Sequence, residues 1–323
     1  LEKERIGITS RRRGPPIQFT FFFRGDPLLR DQGIHEAVMV DQVIKNLIAD
    51  KKGNYVDCTF GLGGHASAIL KKLDSEARLT GIDRDPESLK KVNETLGKDK
   101  RFSFINDKFG NIQSYFDPKS LDGILVDLGI SSNQLDNPER GFSFRLKGPL
   151  DMRMSQSDKV SAETWINRST KEEIARVLWE VGEERHSRKI SESICRERDL
   201  SPINTTQRLS EIVVTSKTKR SKKHPATNVF RAIRMEVNSE LEELQSLLIS
   251  AGKLLKEGGR LAVISFHSLE DRIVKRFVQG KSFEGQNFSF KKVGSKHFKP
   301  SQEEITRNPR SRSAILRVVE KVA

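Results

Sequence analysis

Tyr55-Val-Asp-Cys-Thr-Phe-Gly-Leu-Gly-Gly-His65 is the stretch of this sequence that decides the fold. Its first four residues are typical of a short buried strand, and a turn rich in glycine follows. Apolar residues then recur at helical spacing, at Ala66, Ile69, Leu70 and Leu73. Glycines in such a turn let the backbone approach a ligand closely, and the next helix offers its N-terminal N–H groups. A Gly-rich turn is often only a turn, so cofactor binding stays open at this point.

Three acidic residues end three strand-like segments. Asp83 lies 26 residues after Asp57, close to the roughly 20 residues expected for the ribose-binding acid of a nucleotide-binding βαβ unit. Asp127 ends a further segment of the same kind. We expect the three acids at one edge of a parallel sheet, where open sheets of this class bind their ligands. Each acid alone could merely cap the next helix, but together they favour a nucleoside-type ligand.

The order of the segments predicts the architecture. Strands and helices alternate up to Asp127, which predicts an α/β fold with a doubly wound parallel sheet. No convincing strand is found between residues 141 and 255, where helical patterns dominate, and strands resume at 260–265 and 313–319. We therefore expect one domain from residues 34–140 and 256–323, with an inserted all-helical domain at 141–255. Residues 1–33 are expected to be an extension that is dispensable or disordered.

The composition and net charge of the chain indicate which kinds of binding partner it has. The net charge of +14 over 323 residues favours a polyanion, with nucleic acid preferred over an ordinary hydrated surface. The two cysteines, Cys58 and Cys195, lie far apart without metal-ligand spacing, so we expect no metal site, no disulfide scaffold and a reducing compartment. No apolar run approaches the length of a membrane span.

Two loops could carry chemistry. Residues 127–134 form a polar loop after a buried strand, where functional loops concentrate. His267, after the fifth strand, could be a general base, while Ser268 could equally cap the next helix. A hydrolase is not indicated because no Gly-x-Ser-x-Gly elbow is present, and a nicotinamide dehydrogenase would need a Gly-x-Gly-x-x-Gly turn that is absent.

Longer motifs in one order resemble the bacterial 16S rRNA (cytosine-N4)-methyltransferase family (RsmH, formerly MraW). The resemblance runs from about residue 34 to the tail and is carried by residues 57–65, 82–86, 127–132, 138–144, 148–154, 182–185, 224–227, 237–241, 265–275 and 308–313. It implies a class I methyltransferase sheet of the Rossmann-like type. Many other amino-methyltransferases carry Asp/Asn-Pro-Pro-aromatic after the fourth strand, where this chain has Asp127-Leu-Gly-Ile, so a catalytic role cannot be borrowed from them.

The resemblance implies a reaction and its partners. S-adenosyl-L-methionine would donate a methyl group to the N4 amine of a cytidine in the decoding centre of the small ribosomal subunit, in the cytoplasm. The partner would be 16S rRNA, and a homodimer is an open alternative. A second interpretation is a non-catalytic RNA-binding ribosome-assembly factor on the same fold.

The site residues follow from the resemblance and from the loops above. By position, the cofactor contacts would be Gly63, Gly64, His65, Asp83, Phe109, Asp127 and Gln134. The candidate catalytic residues are Asp127, His267 and Ser268, with the last two expected to line the cytidine side of the pocket. The expected RNA contacts are basic residues in and beside the loop 217–224, namely Lys217, Lys219, Arg220, Lys222, Lys223 and Arg231.

Overall fold

The computed structural model describes residues 37–217, 224–281 and 288–322. All of them belong to one compact unit, His35–Ala323. The expected extension at 1–33 lies outside these residues. Within the described ranges, no helix has both the length and the apolar character needed to cross a membrane.

Seven strands form one sheet: β1 (Asn54–Asp57), β2 (Arg78–Ile82), β3 (Phe102–Ile105), β4 (Leu121–Asp127), β5 (Leu255–Ser265), β6 (Phe290–Lys292) and β7 (Ile315–Lys321). Their order across the sheet is β3-β2-β1-β4-β5-β7-β6. The first five strands are parallel, whereas β7 is antiparallel to β5 and to β6. The chain changes direction across the sheet between β1 and β4. The doubly wound sheet predicted from the sequence is therefore confirmed.

Helices follow most strands, and several begin where local sequence signals place them. The helices before and between the first three strands are α1 (Val40–Leu47), α2 (Gly64–Leu70) and α3 (Pro86–Thr95). Between β4 and β5 come α4 (Ser132–Asp136), α5 (Ala162–Arg168), α6 (Lys171–Glu180), α7 (Ser187–Leu200), α8 (Thr206–Ser216), α9 (Thr227–Val237) and α10 (Glu240–Leu254). The last two are α11 (Ser268–Val278) and α12 (Gln302–Arg307). The side chains of Asp85 and Thr170 cap α3 and α6, each accepting a backbone N–H of the first turn.

The helical segment between β4 and β5 has two different packing partners. Helices α5 to α9 enclose a core of their own, which includes Ile174, Leu178 and Ile233. The apolar face of α10, with Leu247 and Leu248, instead belongs to a core that covers one face of the sheet. Although the sequence assigned α10 to the insertion at 141–255, its buried face packs with the sheet. The start of α10 therefore stands beside the carboxyl edge of the strands.

Replacing Leu247 by alanine tests this packing. Leu247 is fully buried, so Leu247→Ala should lower the free energy of unfolding by about 2–5 kcal/mol, measured by urea titration. Leu89→Ala is the control because Leu89 is 45% exposed on α3, and its effect should stay within about 0.5 kcal/mol. Equally small effects of both variants would contradict the packing of α10 on the sheet.

Candidate active site

A cavity opens at the carboxyl edge of the sheet, beside the change of direction between β1 and β4. One wall comes from the loops that follow β1, β2 and β4, and the opposite wall from the start of α10, the start of α11 and the tail before β7. Six of the predicted cofactor contacts line it: Gly64, His65, Asp83, Phe109, Asp127 and Gln134. The sequence therefore located this edge of the sheet correctly.

The glycine turn after β1 is shaped by close contacts. Gly63 adopts a left-handed conformation with φ of 78° directly before α2, and an added Cβ would lie 2.8 Å from the Phe60 ring. Gly63 does not itself line the cavity, so its conformation explains the glycine. Gly64 does line the cavity, and a Cβ there would lie 2.9 Å from the Cβ of Ala37. A side chain at 64 would therefore crowd the cavity wall.

Asp83 follows β2 and holds two loops while facing the cavity. Its Oδ2 accepts the N–H of Gly61 at 2.7 Å, and its Oδ1 accepts the N–H of Asp85 at 2.8 Å. Burial raises the pKa of this carboxyl above its ordinary value, although the N–H donors oppose the shift. The Ser88 side chain also hydrogen-bonds this carboxylate, so three of its roughly four acceptor positions are used. The carboxylate can therefore still accept a hydroxyl from a nucleoside in the cavity.

Asp127 lines the cavity and has a carboxylate oxygen without a hydrogen-bond partner among the described residues. Its backbone N–H donates to Thr59 Oγ1 at 2.7 Å, which fixes the end of β4. Its Oδ2 lies 3.5 Å from Nε2 of His65. Its Oδ1 is buried and has no hydrogen-bond partner among the described residues. Buried polar atoms are nearly always paired in folded proteins, so this enclosed, unpartnered acceptor marks Asp127 as a residue to test for function.

Asp57 corrects the expectation that three acids meet in one site. It pairs with Gly81 in β2 and Leu125 in β4, so it stands two residues short of Asp83 and Asp127, or about 7 Å deeper in the sheet. Asp57 is fully buried and does not line the cavity. Burial raises its pKa to about 6, against the opposing effects of His65 and a backbone N–H.

His65 lies between this buried acid and Asp127. Its side chain is 6% exposed, and burial lowers the pKa of the imidazole. The carboxylates of Asp127 and Asp57 outweigh burial, so that the net shift is upward from the ordinary histidine value. Protonated His65 would place a positive charge beside the Asp127 carboxylate.

Phe109 and α10 form the part of the cavity suited to a flat ring. Phe109 opens a short 3-10 helix, Phe109–Ser114. Beside it, α10 contributes Glu243, whose Oε2 accepts the N–H of Gly110 at 2.8 Å, and Leu244, which is fully buried in the core against which Phe109 packs. These contacts fix the position of the Phe109 ring at the cavity, where an aromatic ring can stack on an adenine.

Gln134 lines the cavity, but its amide is used within the protein. Its Oε1 accepts the N–H of Ser131 at 3.1 Å, which completes a capping box at α4. Its Nε2 donates to Asp85 Oδ2 at 2.8 Å, and Arg140 Nη1 donates to the same oxygen at 2.8 Å. The structure thus gives Gln134 a role in holding the loop after β4, while direct contact with a cofactor stays a prediction.

His267 and Ser268 do not line the cavity, in contrast to the expectation for them. Phe266 and Glu270 form the wall at this place. His267, rather than Ser268, caps α11, and Glu270 Oε2 accepts the N–H of Phe266 at 2.9 Å. Ser268 Oγ donates to Glu183 Oε2 at 2.7 Å, away from the cavity. The geometry gives both residues structural partners, and their catalytic role stays a prediction without support from it.

The predicted RNA contacts divide into two groups. Lys219, Arg220, Lys222 and Lys223 lie outside the described residues. Lys217 is engaged internally, since its Nζ donates to Glu184 Oε2 and to the carbonyl of Pro225, both at 2.7 Å. Arg231 is partly buried and donates to the carbonyl of Gly182 at 2.7 Å. Internal bonds thus occupy the ammonium group of Lys217, whereas it is burial that limits access to Arg231, whose Nε is buried without a partner among the described residues.

Several residues that line the cavity have no role predicted from the sequence. They come from two regions that were recognised only as family motifs: Asn238, Glu240 and Leu241 before and in α10, and Asn308 and Arg310 in the tail. Their motifs were the available signal. Their place at the cavity depends on tertiary packing, which local patterns do not report.

The residues present fit S-adenosyl-L-methionine. Asp83 offers an acceptor for ribose hydroxyls, and Phe109 offers a ring for the adenine. Asp127, whose Oδ1 is buried without a partner among the described residues, lines the same cavity. The glycine at position 64 keeps side-chain atoms out of the turn that faces the ligand.

Comparison with known proteins gives one consistent result. The model of the MraW methylase family matches residues 32–322. The chain is 44% identical over 305 residues to Ribosomal RNA small subunit methyltransferase H of Coxiella burnetii, covering 90% of this chain and 99% of the relative. It is 45% identical over 306 residues to the protein of the same name from Legionella pneumophila strain Paris, with coverage of 90% and 99%. These matches confirm the resemblance drawn from the motifs, and with it S-adenosyl-L-methionine as the methyl donor.

Similar solved structures are more distant. An rRNA methylase from Streptococcus thermophilus is 13% identical with a TM-score of 0.39, covering 88% of this chain and 94% of that one. A SAM-dependent O-methyltransferase from Thermotoga maritima is 10% identical with a TM-score of 0.41, covering 88% and 64%.

The buried Asp57 should make stability depend on pH. Because its pKa is raised from 3.8 to about 6, the folded state binds this proton more tightly, so stability falls as pH rises through that window. A shift of this size corresponds to on the order of 3 kcal/mol. The free energy of unfolding of the native chain should therefore fall from about pH 4 to about pH 7, and that of Asp57→Asn should fall by less over the same range. Urea titration at each pH measures both.

The exposed Asp74 supplies the control for this experiment. Asp74→Asn should keep the native pH dependence. The same pH dependence in Asp57→Asn as in the native chain would contradict the raised pKa.

Proposed function

The chain belongs to the MraW methylase family, and from that premise we propose that it methylates the N4 amine of a cytidine in the decoding centre of small-subunit 16S rRNA. The names of its relatives support ribosomal RNA of the small subunit as the substrate. The net charge of +14 suits a polyanionic partner. We propose the cytoplasm as the location, and the homodimer stays an open prediction.

The unpartnered Oδ1 of Asp127 is the observation that supports this function best. The cytosine N4 amine is a weak nucleophile because its lone pair is delocalised into the ring, whereas bound S-adenosyl-L-methionine supplies a methyl group on a positively charged sulfur. The protein must mainly hold the amine in line with that methyl carbon. By accepting one N4–H, Asp127 Oδ1 would orient the amine.

Asp127 could also take the proton that the amine must lose. As the new nitrogen–carbon bond forms, the sulfur–methyl bond would break with its electron pair left on the now neutral thioether, and N4 would become positively charged. A carboxylate hydrogen-bonded to N4 is placed to accept the proton. His65 Nε2 lies 3.5 Å from the other carboxylate oxygen and would help to hold the carboxylate in position. The remaining walls hold the donor, with Asp83 at its ribose and Phe109 at its adenine.

The target base must leave its stack to reach this site. Enzymes that modify a base in structured nucleic acid extrude it into a pocket. The cavity lies between the sheet and α10, beside the helical segment that follows β4. We propose that this segment and the loop 217–224 contact the surrounding rRNA, with Lys219, Arg220, Lys222 and Lys223 as candidate phosphate contacts.

Replacing Asp127 by asparagine tests the proposed chemistry. Asp127→Asn keeps an oxygen that can accept N4–H but removes the negative charge and the proton acceptor. Methyl transfer to small ribosomal subunits should fall by about 10²-fold or more, while calorimetry should show donor binding retained. Asp117→Asn, at an exposed position away from the cavity, is the matched control and should transfer at the native rate.

Three results would count against the proposal. Unchanged transfer by Asp127→Asn would remove Asp127 from the mechanism. Mass spectrometry of the modified rRNA that places the methyl group on any other atom would reject cytidine N4. A native chain that binds rRNA but takes up no donor would favour the non-catalytic assembly factor.

A further inference from the structure

The direction of β7 brings the tail of the chain to the cavity. Because β7 is antiparallel to β5, its first residue, Ile315, pairs with Ser265 at the carboxyl end of β5. The residues immediately before Ile315 therefore lie at the same edge of the sheet as Asp127. They form a short 3-10 helix, Pro309–Ser313, which follows α12.

Hydrogen bonds within the turn and from the preceding helix α12 hold this turn in place. Glu304 in α12 accepts the N–H of Met39 at 2.6 Å, and both residues are buried. Ser311 is fully buried, and its Oγ donates to the carbonyl of Asn308 at 2.7 Å. Residues 308–313, termed the tail turn, are thus a fixed part of the cavity rim.

The tail turn presents arginines at the opening of the cavity. Arg310 lines the cavity with its side chain 46% exposed, so it stands where the cavity meets solvent. Its guanidinium donates to Ser132 Oγ and, at 2.7 Å, to Asp136 Oδ1. A guanidinium has five N–H donors, so donors remain for a ligand. Arg312 is exposed two residues further along the same turn.

We propose that Arg310 and Arg312 of the tail turn bind the RNA phosphates that flank the flipped target nucleotide. This rests on the proposed function, because a base that enters the cavity carries its own phosphates to the rim. Arginine matches phosphate with two parallel hydrogen bonds, which fixes position as well as adding affinity. The fixed tail turn would thereby set how deeply the base enters.

The structure favours RNA phosphate over a small anionic ligand in the cavity. Arg312 does not line the cavity, so it is placed for a ligand that extends beyond the rim. The donor molecule also carries a carboxylate, and Arg310 alone could meet it. Binding of the donor and binding of RNA must therefore be measured separately.

Arg312→Glu is the main test because Arg312 lies outside the cavity. With small-subunit rRNA as the probe, its dissociation constant should rise several-fold, and the slope of log affinity against log salt should fall by about 1. In steady-state assays the KM for the subunit should rise more than kcat falls. Its affinity for S-adenosyl-L-methionine, measured by calorimetry, should stay at the native value.

Arg276→Glu is the matched control. Arg276 is exposed in the last turn of α11, and α11 starts at the carboxyl edge and runs back along the sheet, which places Arg276 at the far end. The change in charge is the same, so equal losses of RNA affinity in both variants would overturn the tail turn as a specific site. Native affinity and native salt dependence in Arg312→Glu would overturn it as well.

Arg310→Gln tests whether Arg310 binds the RNA phosphate or the carboxylate of the methyl donor. Weaker RNA binding with native donor affinity supports the proposal, whereas weaker donor binding with native RNA affinity assigns Arg310 to the donor and overturns its role at phosphate. The RNA titrations are informative even if the native chain transfers no methyl group. Failure of the proposed function would thus be distinguishable from failure of the tail turn.

Discussion

The buried ion pair between Asp85 and Arg140 is the interaction on which the geometry of the site depends. The side chains of both residues are almost entirely buried, and Arg140 Nη1 lies 2.8 Å from Asp85 Oδ2. Arg140 also donates to the carbonyls of Arg153 and Met154, and Gln134 donates to the same Asp85 oxygen. One carboxylate thus joins the loops after β2 and β4 to the segment that leads into the helices. Removing one partner of such a buried pair typically costs about 3–5 kcal/mol, because the other charge is left without compensation.

A second set of bonds extends this connection to the opposite wall of the cavity. Arg84, next to Asp83, donates to the carbonyl of Asn238 at 2.8 Å and to Asp158 Oδ2 at 2.6 Å. Asn238 accepts the N–H of Met154 at 2.8 Å and donates to the carbonyl of Met152, directly before α10 begins. The donor-binding loop and the helical segment therefore share their supports. A shift of either wall would have to break bonds that hold the other.

The sequence predicted what depends on near neighbours in the chain and missed what depends on register and packing. The turn at Gly63 is local and is found where its glycines predict it, and the caps of α3 and α6 depend equally on residues at most three positions apart. The depth of Asp57 is different, because it follows from pairing with Leu125 rather than Asp127, and no local pattern fixes register between distant strands. Lys217 was likewise predicted to be a surface cation that contacts RNA. Its ammonium group instead donates to Glu184 Oε2, a residue 33 positions away that only tertiary packing brings near. The residues of the tail reach the cavity because β7 is antiparallel to β5. A strand-like sequence pattern does not tell in which direction the strand runs.

The charged side chains that line the cavity are mostly carboxylates, which matches the chemistry of the proposed substrates. The lining acids are Asp83, Asp127, Glu240, Glu243 and Glu270, and the lining arginines are Arg84 and Arg310. Hydroxyls, amines and a sulfonium are all groups that a carboxylate attracts or accepts from. Arginines of the tail turn stand at the rim, where phosphates would remain in contact with solvent. The acids Asp83 and Asp127 stand at the ends of parallel strands, whereas the tail turn precedes the antiparallel strand β7. Both therefore lie at the same edge of the sheet, which carries carboxylates and arginines together.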